Sequence, residues 1–190
     1  MILSTELLLN SYVNGYFPMA DPDDGKVYWH SPESRAIIPL DGSAKIRKSV
    51  KQLYRNHKLD LYINRNFEEV MNQCFKRREG DTWINDEMLV AYTALHEEGF
   101  AHSFEAYEGE KLVGGLYGVS IGKAFFGESM FFKKTGASKI AFMFLVEFLM
   151  EKNFVLLDSQ YLNPHTESLG AIEVSKDEFL QKLDLAINDV

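Results

Sequence analysis

Asp158, Ser159 and Gln160 directly follow an apolar run, Phe154–Leu157, and form the first candidate for chemistry. A carboxylate at the end of a buried strand loses hydration, so it needs a partner or a raised pKa, and it can then hold a nucleophile's proton. The strand period places Asp158 and Gln160 on one face and Ser159 on the opposite face, and the Gln160 amide can bridge the acid to a substrate amine. The alternative is local: Asp158 caps a turn and Gln160 bonds to the backbone.

Glu128 is the single charged residue between Phe125 and Phe132 in a strongly aromatic segment. It is either a recognition carboxylate for a cationic group or an edge-strand carboxylate that faces water and discourages aggregation. In a regular strand Phe125 and Glu128 face opposite sides, but a bulge at Gly127 would change this.

Three glycines, Gly114, Gly115 and Gly118, lie within a strand pattern over 111–121. Glycine weakens a strand unless something approaches its backbone closely. The pattern therefore indicates either a ligand that runs along this strand or tight packing by neighbouring side chains.

Two lysine-rich segments could meet phosphate groups. Lys133–Lys139 combines lysines with small residues at the start of a predicted helix, where free N–H groups favour anions. Lys45–Lys58 carries six basic residues and no acid, as is typical of a helix that meets a polyanion. For both segments the alternative is a solvated surface.

Charge is distributed unevenly along the 190 residues, which carry 20 Lys+Arg, 28 Asp+Glu and a net charge of −8. Residues 1–58 contain eight basic and six acidic residues, whereas residues 59–190 contain 12 and 22. Overall acidity argues against a generic nucleic-acid coat protein, but the N-terminal part keeps a local basic face. Because 46% of the residues are hydrophobic, a sizeable core can form.

Several kinds of site are not indicated by the sequence. Cys74 is the only cysteine, which excludes an internal disulfide, and we expect it to be buried. The five histidines show no metal-ligand spacing, so we expect no metal site. The N-terminus lacks signal-peptide features, and no run approaches the ~18 apolar residues of a membrane span. We therefore expect a cytoplasmic protein with no membrane partner.

Periodicity and capping residues predict an α+β protein in two parts. In a small N-terminal domain, residues 1–58, we expect a helix over 4–14, an irregular segment over 15–35, an extended piece over 36–40 and a basic helix over 43–57. In residues 59–190 we expect strand 59–64, helices 67–77 and 87–98, strands 102–107, 111–121 and 124–131, helix 137–152, strand 155–160, helix 165–169, strand 171–174 and a helix capped by Ser175. The three central strands are expected to be antiparallel. Since sites in open sheets lie at strand ends and where neighbouring strands part, the end of strand 155–160 is the expected place for chemistry.

Nine segments together resemble the leucyl/phenylalanyl-tRNA–protein transferase family. They are GYFPM (15–19), WHSPESR (29–35), DTWI (81–84), GFAHS (99–103), VGGLYG (113–118), FFGESMF (125–131), ASK (137–139), DSQ (158–160) and HTESLGA (165–171). Matches in this order cover nearly the whole chain, and the GESMF and DSQ segments are specific in combination.

The resemblance implies a small N-terminal domain and a GNAT-like (acyl-CoA N-acyltransferase-like) C-terminal domain with a mixed, mostly antiparallel sheet. It also implies transfer of Leu, Phe or Met from aminoacyl-tRNA to proteins that begin with Arg or Lys. That transfer marks its products for degradation in the bacterial N-degron pathway. No acyl-CoA, metal or other cofactor would be needed.

By position, Asp158 and Gln160 are similar to the family's proposed catalytic pair, and Glu128 to its functional carboxylate. An alternative assigns the proton shuttle to the tRNA and only positioning to the protein. The positions similar to those around the bound 3′ aminoacyl-adenosine are Trp83, Leu116 and Phe125.

On this hypothesis the basic residues meet tRNA phosphates, and the acidic C-terminal part attracts a basic acceptor terminus. The candidate phosphate contacts are Lys45, Lys48, Lys51, Lys133 and Lys134. Two rival hypotheses are a GNAT-type N-acyltransferase that uses acyl-CoA at Lys133–Ser138 and a non-catalytic tRNA- or peptide-binding module on the same fold.

Overall fold

The computed structural model describes residues 3–21, 23–76 and 86–188. Its helices are α1 Thr5–Val13, α2 Lys48–Arg55, α3 Phe67–Lys76, α4 Asp86–Glu97, α5 Ala137–Glu151, α6 Pro164–Ser168 and α7 Lys176–Asn188. Its strands are β1 Phe17–Ala20, β2 Val27–His30, β3 Ser34–Ile37, β4 Asp60–Ile63, β5 Ala101–Glu108, β6 Lys111–Ile121, β7 Ala124–Phe132, β8 Leu156–Asp158 and β9 Ile172–Ser175.

Seven strands form one sheet in the order β4-β5-β6-β7-β8-β3-β9, while β1 and β2 form a separate ribbon. Among the described strands, β7 and β8 are the one parallel pair, and the other neighbours run antiparallel. The predicted mixed, mostly antiparallel sheet is confirmed. Its centre consists of β5, β6 and β7, as expected.

Helices cover both faces of this sheet. On one face α1, α3, α4 and α7 bury a core that includes Tyr12, Cys74, Tyr92 and Phe179. On the other face the long apolar helix α5 packs together with α2, whose Val50 is buried there. The expected burial of Cys74 is confirmed, because only 1% of the residue is exposed.

Polar side chains cap several helices, including the predicted cap at Ser175. The Ser4 hydroxyl accepts a hydrogen bond from the Leu7 N–H at the start of α1. The Asn66 side chain does the same for Glu69 in α3, as the Ser175 hydroxyl does for Glu178 in α7. Such caps satisfy N–H groups that have no partner inside the helix.

The prediction of an irregular segment over 15–35 is wrong, because β1 and β2 pair as an antiparallel hairpin. Pro18 lies within β1, which a strand tolerates when one of its sides has no partner strand. The acidic residues that indicated a loop form the hairpin's turn. There the Asp21 N–H donates to the Lys26 carbonyl and the Gly25 N–H donates to the Asp21 carbonyl, both at 2.8 Å.

Two other elements of the N-terminal part have different bounds from those predicted. The extended piece expected over 36–40 is β3, and the basic helix expected over 43–57 is limited to α2. Helix α2 begins late because Arg47 is extended and its N–H donates to the Ser168 carbonyl at 3.2 Å. Since β3 lies between β8 and β9, the sheet takes one strand from the N-terminal side of residue 58. The division into 1–58 and 59–190 stays a prediction.

Close packing explains two of the strand glycines, so they do not need a ligand. A Cβ atom at Gly114 would lie 2.5 Å from Cβ of Ala137, the first residue of α5. A Cβ atom at Gly118 would lie 2.4 Å from the Phe125 ring. The missing side chains therefore let α5 and an aromatic ring pack directly on β6.

We predict that Gly114→Ala lowers the free energy of unfolding by about 1–3 kcal/mol, because α5 must move to admit the methyl group. Urea unfolding followed by circular dichroism measures this change. Gly127→Ala is the matched control, since its nearest atom would lie 3.3 Å away, and it should cost clearly less. Equal stability of the Gly114→Ala variant and the parent would contradict the packing argument.

Candidate active site

A cavity of about 280 Å³ opens where β7 and β8 part. The two strands pair along Ala124–Phe126 and Leu156–Asp158, after which β8 ends and β7 continues. Strand β8 is shorter than the predicted 155–160, but the site lies at its end as expected.

The cavity wall combines a large apolar surface with a small set of polar groups. Its apolar residues include Ile38, Leu116, Met130, Phe142, Leu145, Leu157 and Leu169. Its polar residues include Glu128, Asp158, Ser159, Gln160, Asn163 and His165. Such a cavity can hold one apolar side chain beside groups that exchange hydrogen bonds with a reacting centre.

Asp158 is fully buried and forms a two-pronged ion pair with Arg35. Arg35 Nε donates to Asp158 Oδ1 at 2.9 Å, and Arg35 Nη2 donates to Asp158 Oδ2 at 2.6 Å. Asp158 and Arg35 expose 0% and 2% of their side chains, respectively. Both carboxylate oxygens therefore already accept strong, charge-assisted hydrogen bonds.

Gln160 lies beyond the end of β8 in a left-handed backbone conformation, with φ of 56°. Its backbone N–H donates to Asp158 Oδ1 at 3.0 Å, and its side-chain Nε2 donates to Glu128 Oε1 at 3.4 Å. Because this conformation ends the strand alternation, Asp158, Ser159 and Gln160 all border one cavity. The expectation that Ser159 faces away is wrong for this reason.

Glu128 enters the cavity wall from a β-bulge in β7. Gly127 pairs with Gly118 and Ser129 pairs with Tyr117, which leaves Glu128 as the extra residue on its strand. The bulge that we proposed at Gly127 is therefore present. The Glu128 carboxylate accepts hydrogen bonds from Tyr12 and Gln160, so it is not the water-facing carboxylate of the alternative interpretation.

Two buried tyrosines hold the Glu128 carboxylate. Tyr12 of α1 donates to Oε1 at 2.7 Å, and the Tyr92 hydroxyl of α4 is hydrogen-bonded to that of Tyr12 and lies 3.4 Å from Oε2. Burial raises the pKa of Glu128 to about 8, against the opposing effect of the Tyr12 hydrogen bond, and the nearby Asp158 charge raises it further. Burial and the Glu128 charge raise the pKa of both tyrosines well above 10.

Of the three residues expected around an aminoacyl-adenosine, the two that the structure describes do not both border the cavity. Leu116 borders the cavity. Phe125 is buried under the sheet, where its ring packs edge-on against Phe104 with 5.9 Å between centroids. Phe125 is not among the residues that border the cavity. Trp83 lies outside the described residues.

The two lysine-rich segments meet at a second, open groove of about 570 Å³. Ser49 and Gln52 of α2 and Asn56, which follows the helix, line it together with Lys134 and Thr135. Lys134 is paired with Glu108 at 2.5 Å, and Lys133 with Glu69 at 3.7 Å. The remaining candidate phosphate contacts, Lys45, Lys48 and Lys51, are exposed.

The model of the leucyl/phenylalanyl-tRNA protein transferase family matches residues 37–184, and the model of that family's N-terminal domain matches residues 1–33. The chain belongs to the leucyl/phenylalanyl-tRNA protein transferase family. A protein of this name from Prosthecochloris aestuarii is 47% identical over 188 residues, which cover 98% of this chain and 96% of the relative. One from Ruegeria sp. is 45% identical over 189 residues, which cover 99% of this chain and 89% of that protein.

Among solved structures, the crystal structure of FemX superposes with a TM-score of 0.60 at 12% identity. The match covers 90% of this chain and 66% of FemX. At this identity the likeness concerns the fold alone, and the fold is the GNAT-like one that the resemblance implied.

Sequence reasoning missed three residues that build the candidate site: Tyr12, Arg35 and Tyr92. Tyr12 has the spacing of a buried residue in the first helix, and its hydroxyl contact with Glu128 lies 116 residues away in sequence. Arg35 ends a family segment and precedes the apolar run 36–38, which mirrors the position of Asp158 after its own apolar run. That opposite pair of charges was the available signal.

Within residues 3–21, 23–76 and 86–188, no group of three or more His, Cys, Asp or Glu side chains could hold a metal ion. No helix in the same ranges is long and apolar enough to cross a membrane.

We predict that Glu128 makes stability fall as pH rises from about 4.5 to about 8. Its folded pKa of about 8 lies above its ordinary value of 4.5, so the folded protein binds the extra proton in this window. Urea unfolding from pH 5 to pH 9 should therefore show a falling difference between the parent and Glu128→Gln. Glu173→Gln, at an exposed residue of β9, is the control. A difference that is constant across this range would contradict the prediction.

Proposed function

We propose that this protein transfers Leu, Phe or Met from aminoacyl-tRNA to the N-terminal Arg or Lys of acceptor proteins. The reaction forms a peptide bond and marks the product for degradation through the N-degron pathway. The observation that carries this proposal is the apolar cavity bordered by Glu128 and Gln160, in a chain of this family.

The apolar cavity wall supports an aminoacyl donor with a hydrophobic side chain. Leu116 of β6 and Phe142 of α5 both border the cavity, which at about 280 Å³ has room for one such side chain. Side chains that are unbranched at Cβ suit it best. Placing the donor there brings its ester close to Gln160 and Glu128.

The ester of aminoacyl-tRNA is already activated, so the acceptor amine needs only orientation and deprotonation. The amine nitrogen attacks the ester carbonyl, the C–N bond forms, and the bond to the tRNA 3′ oxygen breaks. That oxygen gains a proton as the amine loses one. We assign orientation of the amine to the Gln160 amide and acceptance of its proton to Glu128. The Glu128 pKa of about 8 lies close to the ~7.7–8.0 of an α-amino group, which suits proton exchange between them.

Asp158 supports this chemistry from behind Gln160. Its two oxygens accept hydrogen bonds from Arg35, and one of them also accepts the Gln160 N–H. We therefore assign to Asp158 the placing of Gln160, and the proton to Glu128. Asp158 and Gln160 therefore still act as a pair: Asp158 holds Gln160 in place, and Gln160 orients the amine.

The distribution of charged residues favours binding of both proposed substrates, tRNA and a basic acceptor terminus. The start of α2 is tied to α6 near the cavity, because the Arg47 N–H donates to the Ser168 carbonyl and the next residue, Leu169, borders the cavity. We infer that Lys45, Lys48, Lys51, Lys133 and Lys134 contact tRNA phosphates, with Lys133 and Lys134 exchanging their carboxylate partners for phosphate. The acidic residues of 59–190 favour a basic acceptor terminus.

The proposed reaction needs no cofactor, because the donor ester supplies the driving force and the chain supplies only positioning and a proton acceptor. We place it in the cytoplasm, where aminoacyl-tRNA is made.

The deciding experiment incubates the protein with Leu-, Phe- or Met-tRNA and with otherwise identical proteins that begin with Arg, Lys or Gly. We expect label transfer to the Arg and Lys proteins and none to the Gly protein. A parallel reaction contains acetyl-CoA in place of aminoacyl-tRNA. Acetyl transfer without aminoacyl transfer would establish the N-acyltransferase, and binding of tRNA without turnover would establish the binding module. Either outcome would refute the proposal.

We predict that Lys48→Gln combined with Lys51→Gln weakens tRNA binding. The double substitution should also reduce the magnitude of the slope of log affinity against log salt by about 1–2, because fewer phosphate contacts release fewer counterions. Filter binding across salt concentrations measures this slope. Lys152→Gln combined with Lys182→Gln is the matched control, because these lysines lie in other parts of the surface. An unchanged slope in the α2 variant would remove this helix from the tRNA footprint.

A further inference from the structure

Arg35 is buried behind the cavity and does not border it. Its guanidinium carbon lies 4.4 Å from the ring centroid of Phe17 and 4.4 Å from that of Phe179. Its Nη1 donates to the Gly15 carbonyl at 3.1 Å, while Nε and Nη2 bind Asp158. Every nitrogen of the guanidinium therefore has a partner, and two aromatic rings restrict its position.

Arg35 restricts the position of Gln160 through Asp158, which binds both residues. Asp158 Oδ1, which accepts from Arg35 Nε, also accepts the Gln160 N–H at 3.0 Å. The Gln160 carbonyl accepts the N–H of Ala36, the residue next to Arg35, at 3.0 Å. Both backbone groups of Gln160 are thus held by β3 or by the partner of Arg35. A left-handed backbone at a residue other than glycine persists only where its surroundings fix it in this way.

The same guanidinium also contacts the segment whose Tyr12 holds Glu128. Gly15 joins α1 to β1, and α1 carries Tyr12, which donates to Glu128. A single buried side chain therefore contacts the segments behind both groups that we place next to the amine.

We propose that Arg35 is a positioning residue for the transfer reaction, which fixes Gln160 in its left-handed conformation through the two-pronged bond to Asp158. The inference rests on the proposed function, because it concerns the reaction at that site. It predicts a requirement for the fork of the guanidinium and not merely for its charge, since an ammonium cannot make two parallel N–H bonds to one carboxylate.

The chain contains a matched control in Arg65. Its guanidinium carbon lies 4.6 Å from the Tyr62 ring centroid and 4.4 Å from that of Tyr107, and it pairs with Glu110. Arg65 therefore has the same kind of aromatic and carboxylate partners at β4, on the opposite edge of the sheet from β3 and β9. Arg65→Lys makes the same chemical change away from the cavity.

The test compares Arg35→Lys, Arg65→Lys and the parent for kcat and KM of aminoacyl transfer, tRNA dissociation constant and thermal melting. We expect Arg35→Lys to lower kcat by about 10- to 100-fold, as a displaced reacting group does, while KM and the tRNA dissociation constant change less than about twofold. Arg65→Lys should leave all four quantities near those of the parent. A folded Arg35→Lys variant with the parent's kcat, or with kcat and tRNA affinity lost in parallel, would overturn the inference.

Phe179→Leu provides a second variant if Arg35→Lys does not fold. Phe179 contacts Arg35 but does not border the cavity, so its shortening loosens the guanidinium and leaves the binding surface intact. We expect a fall in kcat at unchanged KM, and an unchanged kcat would overturn the inference. A parent inactive with every aminoacyl-tRNA would refute the proposed function and this inference together. An active parent with unaffected variants would refute the inference alone.

Discussion

The arrangement of the site depends on one buried ion pair, Arg35 with Asp158. A charge removed from water is tolerated only with a partner, and removing one member of such a pair costs about 3–5 kcal/mol. That is a large fraction of the ~5–15 kcal/mol by which a domain of ordinary size is stable. The cost arises because the remaining charge would be buried without a partner, so the two side chains stay together. Asp158 in turn accepts the Gln160 N–H, and the pair joins β3 to β8.

The two carboxylates near the cavity have opposite surroundings. Asp158 faces a guanidinium, whereas the described neighbours that hydrogen-bond to Glu128 are neutral: two phenols and the Gln160 amide. Burial therefore raises the pKa of Glu128 to about 8. Two carboxylic acids in such different surroundings commonly take different roles in one active site. In the proposed reaction Asp158, which is paired with Arg35, positions Gln160, and Glu128 exchanges a proton with the amine.

Sequence reasoning located the cavity between β7 and β8 because its signals are local. A carboxylate after an apolar run marked the end of β8, and a glycine beside Glu128 marked the bulge in β7. The antiparallel centre of the sheet followed from short turns between its strands. These features depend on residues that are close together in the chain.

The parts that sequence reasoning missed depend on contacts between distant segments. Arg35 and Asp158 are 123 residues apart, and they meet only because β3 enters the sheet beside β8. Tyr12 has the hydropathy of a core residue, so its pattern predicts burial and gives no sign of a bond to Glu128. The β1–β2 hairpin was missed for a related reason, since its prolines and acids indicate a loop while its pairing gives two strands.

In the proposed reaction the cavity between β7 and β8 receives the aminoacyl end of the donor. A crystal structure of the protein with an adenosine that carries phenylalanine through a stable 3′ amide decides this. We expect the phenylalanyl ring between Leu116 and Phe142, with the amide carbonyl next to Gln160 and Glu128. An analogue bound in the groove beside Lys134 and Thr135, with the cavity empty, would show that the donor binds elsewhere.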